Sequence, residues 1–309
     1  MLNITETKPN THKNYSLYAR VMDINPKISL NEEEFLQIKQ AKSCLNSALA
    51  LEENFDLLLG NYRELELEAI SAAVSDMTES KYEYEDFFQT RSSINRRVVN
   101  LLSAARMYLD HYPQHLNKIG ESFETAKSVA SESYDRFFEY RFMEALRNYT
   151  QHSGLAVHEL KLGGQWLSTT EPRQQQFAIT AYSSRSILEN SSFKKSVLRE
   201  TPIKVEVLPA IRIYLSCISS IHNKVREIID SKTKQSRDLF ADLIARHEKE
   251  ANHKHLGLAA VAKVNERVVE EIPILLDWDD VRIKLLKRNK SLEHIDKCFV
   301  TSQSIWSKQ

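Results

Sequence analysis

Glycine and proline are scarce in this 309-residue chain, at 6 and 7 residues. Tight turns between strands need residues that tolerate positive φ or preset a turn, so so few of them exclude an all-β sandwich or barrel. The same scarcity removes phosphate-cradling loops. The sequence holds no P-loop, no dinucleotide-binding fingerprint and no G-x-S-x-G nucleophile elbow. Cysteine is sparse as well: Cys44, Cys217 and Cys298 lie far apart and in no metal-binding spacing. An odd, scattered set points to free thiols in a reducing compartment. Long apolar runs are missing, since the most apolar stretch, 208–221, is short and carries Arg212. The first ten residues are polar and lack the apolar segment of a signal peptide. The expectation is a cytoplasmic protein that does not enter the membrane and uses neither metal nor cofactor.

Net charge is absent too, with 42 basic residues against 42 acidic ones. The balance conceals an asymmetry. Residues 31–90 hold 14 acidic and 4 basic side chains, whereas residues 281–290 hold five basic and no acidic ones. Such separation suits orienting a polyanion, seating one subunit's basic tail on an acidic partner, or simply two differently charged solvated faces. The acidic first segment is therefore a candidate surface for a protein partner or inhibitor.

What is present is helical periodicity. Ser29-Leu30-Asn31 precedes Glu32, Glu33 and Glu34, a helix-start pattern, and the helix or helix pair it opens extends to about residue 78. A second helix is expected over about 84–112, with Ile94, Val98, Leu101, Ala105 and Tyr108 on one side and Pro113 ending it. A third covers about 122–151. Around residues 156–186 the period changes near Gly163-Gly164, which predicts a β-hairpin or an irregular insertion. A short helix at 191–198, a long one over about 207–254, a candidate strand in the tail and a basic helix near 277–288 complete the reading. The expected fold is therefore all-α, a helix bundle with one small β-hairpin. Its parts are an acidic helical segment (1–80), a bundle (81–255) with the inserted hairpin at about 156–186, and a basic extension (256–309).

The segment richest in chemistry is Arg147-Asn148-Tyr149-Thr150-Gln151-His152, followed by Ser153-Gly154. On a helix, Asn148 and His152 stack four residues apart, and Arg147 lies about 100° around from Asn148. Gly154 stands where a C-cap glycine belongs, which places His152 in the last turn. Guanidinium, amide and imidazole at one helix end suit metal-free RNA cleavage. Attack of a ribose 2′-hydroxyl on its own phosphate needs a proton acceptor and a proton donor, roles that histidine fills near neutrality. Charge on the phosphoryl oxygens calls for a fork-shaped cation. One histidine cannot hold both proton roles in one step, so two copies related by a two-fold would complete the set. The bland alternative makes His152 a carbonyl-capping residue and Arg147 the partner of Glu144, and the chain a non-catalytic helical interaction or RNA-binding protein.

Arg147-Asn148-x-x-x-His152 resembles the R-x4-6-H motif of HEPN domains, which often carry a polar residue directly after the arginine. The resemblance implies a small helical bundle, commonly dimeric, with RNase activity of the kind found in toxin and phage-defence systems. It implies catalytic roles for Arg147 and His152 and a supporting role for Asn148. It spans the motif and residues 84–255 at most, leaving out the acidic segment and the basic extension. HEPN toxins paired with nucleotidyltransferase antitoxins often carry a tyrosine two residues after the histidine. Gly154 stands there in this chain, so control by modification of that tyrosine is not implied.

Other candidates are weaker. His158, Arg141, Lys194 and Lys195 are expected to contact the RNA, and Arg136 and Arg199 add to the basic surface. For His158 a metal contact and a solvated loop position compete with that role, the loop position being the favoured reading. His111 and His115 have helical spacing, but Pro113 lies between them. His247-Glu248 does not complete a zincin motif because Ala251 replaces the second histidine. His253 and His255 read as solvent-facing, and Glu64, Glu66 and Glu68 as a solvated helix face. His222 falls on an apolar stripe between Ile218 and Val225 and reads as a satisfied core or interface histidine.

Overall fold

The computed structural model describes residues 13–19, 27–79, 83–168, 173–251 and 257–302. Helices account for 67% of it, but two antiparallel sheets of four and three strands make the protein mixed α/β. The expectation of an all-α bundle with one small hairpin is thereby corrected. Its source is physical. The larger sheet joins strands from opposite ends of the chain, and a local window of sequence cannot display such pairing. Its central strand is moreover buried almost throughout, so it shows no alternation of apolar and polar residues.

The chain forms two compact units, each assembled from separated stretches. The first draws on Met1–Glu52, His115–Glu121 and Ile228–Lys287. Its sheet has the order β2-β1-β6-β7, from β1 (Asn14–Ala19), β2 (Ile28–Leu30), β6 (Leu258–Val264) and β7 (Arg267–Pro273). Asn14 faces Lys263 and Ala19 faces Leu258 across the β1–β6 ladder. Leu17, Leu30, Ala260 and Ile272 from this sheet share a core with Phe35 and Ile38 of α1 (Glu32–Thr78) and Phe240 of α7 (Val207–Ala251). The expected helix start is present, and it takes the form of a capping box. The Glu34 N–H donates to Asn31 Oδ1 and the Asn31 N–H to Glu34 Oε2, both at 2.8 Å. The basic helix α8 (Asp277–Arg288) is fixed by Asp279, whose buried carboxylate accepts from Arg282 at 2.6 Å and from Arg237 at 2.6 Å. Burial alone would raise the pKa of Asp279, but these two guanidinium groups hold it below the ordinary carboxylate value.

The second unit draws on Glu53–Gln114, Ser122–Glu227 and Arg288–Gln309. It contains the rest of α1, most of α2 (Tyr84–Ile119), then α3 (Glu124–Arg136), α4 (Phe138–His152) and the first part of α7. α1 is one unbroken helix, because Gly60 can be accommodated in a helix whose buried face continues through Leu58, Tyr62 and Leu65. α2 runs through Pro113 instead of ending at it, and Tyr108, Tyr112 and Leu116 keep its apolar face buried on both sides of the ring. The expected single helix over 122–151 is two helices, interrupted at Phe137, which is extended with φ −109° and ψ 117°.

The predicted hairpin is present as β3 (Glu159–Trp166) and β4 (Gln175–Ser184), joined by β5 (Lys204–Glu206) in the order β3-β4-β5. Two short helices, α5 (Arg185–Glu189) and α6 (Lys195–Glu200), lie between β4 and β5. His222 is a core histidine as expected, stacked on Phe55 at 3.9 Å and bonded through Nδ1 to the Tyr108 hydroxyl at 2.8 Å. Glu66 and Glu68 are not merely a solvated face, since Arg212 and Arg97 hold them. His253 and His255 lie outside the described residues. Among the described residues no helix is long and apolar enough to cross a membrane.

Candidate functional site

α4 is the element that carries the motif. Tyr140, Phe142, Met143, Ala145, Leu146 and Tyr149 are buried on it at helical spacing, which fixes its rotation and turns Asn148 and His152 outward. His152 is the last helical residue, followed by Ser153, whose N–H donates to the Tyr149 carbonyl at 2.8 Å. Gly154 is not the left-handed cap that its position suggested, because its φ is not positive. It is needed for space: a Cβ there would overlap the Tyr149 hydroxyl.

Arg147 donates from Nη1 to Asn148 Oδ1 at 3.0 Å. Its Nε is buried with no hydrogen-bond partner, and among the described residues no carboxylate pairs with the guanidinium. Glu144, the ion-pair partner considered for it, is bound instead by Arg106 at 3.2 Å and by the Tyr214 hydroxyl at 2.5 Å. The Arg147 cation is therefore held in place but not neutralised. The His152 side chain is exposed, and no side-chain hydrogen bond engages it among the described residues. Asn148 and His152 share a face of α4, whereas Arg147 lies about 140° around from His152. The structure thus joins Arg147 to Asn148 and leaves His152 one turn away.

Directly after the helix, the chain is pinned by residues that the motif did not reveal. Asn95 of α2 is buried and uses its amide like a strand neighbour. Its Oδ1 accepts from the Val157 N–H at 2.8 Å, and its Nδ2 donates to the Val157 carbonyl at 3.0 Å. Arg91, one turn earlier, donates to the His158 carbonyl at 3.3 Å. The available signal was a polar residue on an apolar stripe, because Asn95 precedes the buried Val98 and Leu102 at helical spacing.

His158 is not a solvated loop residue. It is half-buried, its Nδ1 accepts from the Ser184 N–H at 2.9 Å, and its Nε2 lies 3.5 Å from the Tyr149 hydroxyl. Acceptance at Nδ1 assigns the proton of the neutral ring to Nε2. Burial is the main cause that pushes its pKa below the ordinary histidine value, in keeping with a neutral ring. His158 thus ties the helix end, through Tyr149, to the last residue of β4.

Arg141, expected to contact RNA, has each of its three guanidinium nitrogens engaged. Nε and Nη2 grip Glu200 at 2.9 and 2.7 Å, while Nη1 donates to the carbonyls of Tyr134 and Asp135 at 2.5 and 2.9 Å. It satisfies the free carbonyls at the end of α3 and fastens α6 to α4. Lys194 donates to the Tyr134 hydroxyl at 2.6 Å and sits 5.1 Å over the same ring. Lys195 is exposed at the start of α6. Two of the four proposed RNA contacts, Arg141 and Lys194, therefore meet at Tyr134, apart from the Arg147–Asn148 pair in their bonding.

His111 lies 3.5 Å from the Asn54 amide through Nδ1, and no group of three or more metal-ligating side chains could hold an ion among the described residues. Compared with known proteins, the chain matches no family model, no curated protein and no solved structure, so the HEPN resemblance rests on its motif residues.

Proposed function

We propose that the chain is a cytoplasmic, metal-independent endoribonuclease that acts as a homodimer, with its chemistry at the C-terminal end of α4. The observation that carries this reading is the Arg147 guanidinium, which Asn148 orients and which no carboxylate among the described residues neutralises, one turn from the exposed His152. A cation in that condition retains its affinity for a phosphate, because no anion among the described residues competes for it.

In this reading the neutral His152 of one copy takes the proton of the ribose 2′-hydroxyl. The 2′-oxygen then attacks the adjacent phosphorus, and the bond to the 5′-oxygen breaks. The protonated His152 of the second copy gives its proton to that leaving oxygen. Arg147 stabilises the charge on the non-bridging oxygens, and Asn148 sets the guanidinium. The products are a 2′,3′-cyclic phosphate and a 5′-hydroxyl. His158 is a positioning residue here, since its ring holds the helix end and β4 together. The exposed Lys195 remains a phosphate contact, whereas Arg141 serves the fold.

The test is cleavage of a mixed RNA pool in excess EDTA, with the termini identified by mass spectrometry. The wild type should cut and leave cyclic phosphates, and His152→Ala and Arg147→Ala should each lower the rate by about 100-fold or more. Cutting that persists in both variants would sink the assignment.

A further inference from the structure

The end of the second unit built from α1 and α2 carries an apolar surface that the ribonuclease reading does not use. On α1, Leu67, Ile70, Val74 and Met77 are 65%, 38%, 49% and 55% exposed. Their spacing of three, four and three residues gathers them within about 80° of one helix face. On α2, Tyr84, Phe87 and Phe88 are 77%, 40% and 50% exposed and cluster likewise. Arg97 of α2 pairs with Glu68 and donates to the Glu64 carbonyl of α1. That antiparallel register brings residues 84–88 alongside the last turns of α1. Seven large apolar side chains on one helical hairpin are more than the scattered exposure normal for a protein surface.

The rim of this surface selects its occupant. The exposed Glu83 and Glu85 stand on either side of Tyr84 in the sequence, with Asp76, Glu79 and Asp86 within two residues of Met77 or Phe87, and none of Asp76, Glu83, Glu85 or Asp86 has an ion-pair partner among the described residues. Two such surfaces facing each other would bring like charges together, so symmetric stripe-to-stripe pairing is disfavoured. An anionic membrane is disfavoured for the same reason. The occupant must be basic with apolar residues between its charges. The chain itself carries a segment of that kind. In α8, Val281 is 45% exposed and lies within about 120° of Lys284 and Lys287 on the helix. Lys284 and Lys287, with Lys290 just beyond the helix, are exposed and have no ion-pair partner among the described residues. The other two cations of this basic run are already engaged, Arg282 by Asp279 and Arg288 by Asp56.

We infer that the chain self-associates by docking the basic face of α8 from one copy onto the acid-rimmed apolar hairpin of a second. The contact joins two different surfaces, so a two-fold axis closes it as a pair of reciprocal contacts, and any other operator extends it into a ring or a filament. The inference does not depend on the ribonuclease reading. It supplies a physical basis for the second copy which that reading requires.

The experiment measures the molar mass of the full-length protein by light scattering over a dilution series. The wild type should associate, and raised salt should weaken the association. Lys284→Glu/Lys287→Glu and, separately, Glu83→Lys/Glu85→Lys should each raise the apparent dissociation constant by about tenfold or more. All four positions are exposed, so the variants should keep the wild-type circular dichroism spectrum and melting temperature. Mixing the two variants should restore association, because each then offers the other a complementary pair of surfaces. Ile70→Ser/Val74→Ser should weaken it without changing any charge. A wild type that stays monomeric at high concentration, or an assembly indifferent to both reversals and not rescued by mixing, would overturn the inference. RNA cleavage is scored separately, so failure of the docking contact and failure of the nuclease site give different results.

Discussion

Replacing Arg141 separates a residue that holds the fold from one that holds RNA. Its guanidinium makes two bonds to Glu200 and two to the carbonyls of Tyr134 and Asp135, where α3 stops. The side chains of Arg141 and Glu200 are 18% and 38% exposed, so solvent screens the pair and its share of stability is about 0.5–1 kcal/mol. The two carbonyl bonds have a charged donor and lie at a break in helical bonding, which makes each worth about 1–1.5 kcal/mol. Arg141→Ala should therefore destabilise the protein by about 3 kcal/mol, or roughly 1 M in urea midpoint at a slope near 3 kcal/mol per M. Arg141→Lys keeps the charge but lacks the fork and should fall between the two. The cost of removing Glu200 should shrink by about 0.5–1 kcal/mol in the Arg141→Ala background, as measured by a double-mutant cycle. Bonding to Arg141 holds the Glu200 carboxyl below its ordinary pKa, so this part of the stability is present above the unfolded-state value and is lost as pH falls through the folded one. Urea titrations at neutral pH followed by circular dichroism decide the matter. A loss under about 0.5 kcal/mol together with weakened RNA binding would refute the clamp and return Arg141 to the substrate.

His158 gives a pH signature in the opposite direction from a gained ion pair. Its folded pKa lies below the ordinary 6.5, so the unfolded chain binds the extra proton first, and stability should fall as pH drops from 6.5 toward the folded value. His158→Gln should remove that slope from a series of thermal melts between pH 5 and 8, a range set by the unperturbed titration of histidine at about 6.5. At the β6–β7 turn, Asn265 and Glu266 have φ of 49° and 64°, the conformation of a two-residue hairpin that favours glycine at the second position. Glu266→Gly should raise stability by about 1 kcal/mol, and a lowered melting temperature would show that the strain argument is wrong there.

That turn also shows why one part of the fold was legible in the sequence and another was not. The capping box at Asn31 and Glu34, the apolar stripe of α4 and the hairpin near Gly163 announce themselves within a few residues, because their causes are local. Glu266 stands where a hairpin turn normally shows glycine, so the second hairpin was silent, and with it the larger sheet. The pairing of β1 with β6 depends on apolar burial between opposite ends of the chain, and β6 is buried too evenly to alternate. Charge misled in a similar way. Arg141 read as an RNA contact because a guanidinium on a motif-bearing helix is indistinguishable in sequence from a free one. Its partner Glu200 and the broken end of α3 become visible only once α6 is folded against α4. Arg147 differs in the property that matters for chemistry: among the described residues the fold brings it an amide and no carboxylate. Which cations a fold leaves uncompensated is settled by tertiary structure, and Arg141 and Arg147 separate on that ground alone. It follows that the Arg141 and Arg147 substitutions should diverge, the first lowering stability and the second lowering RNA cleavage, although the sequence presents them six residues apart on a single helix.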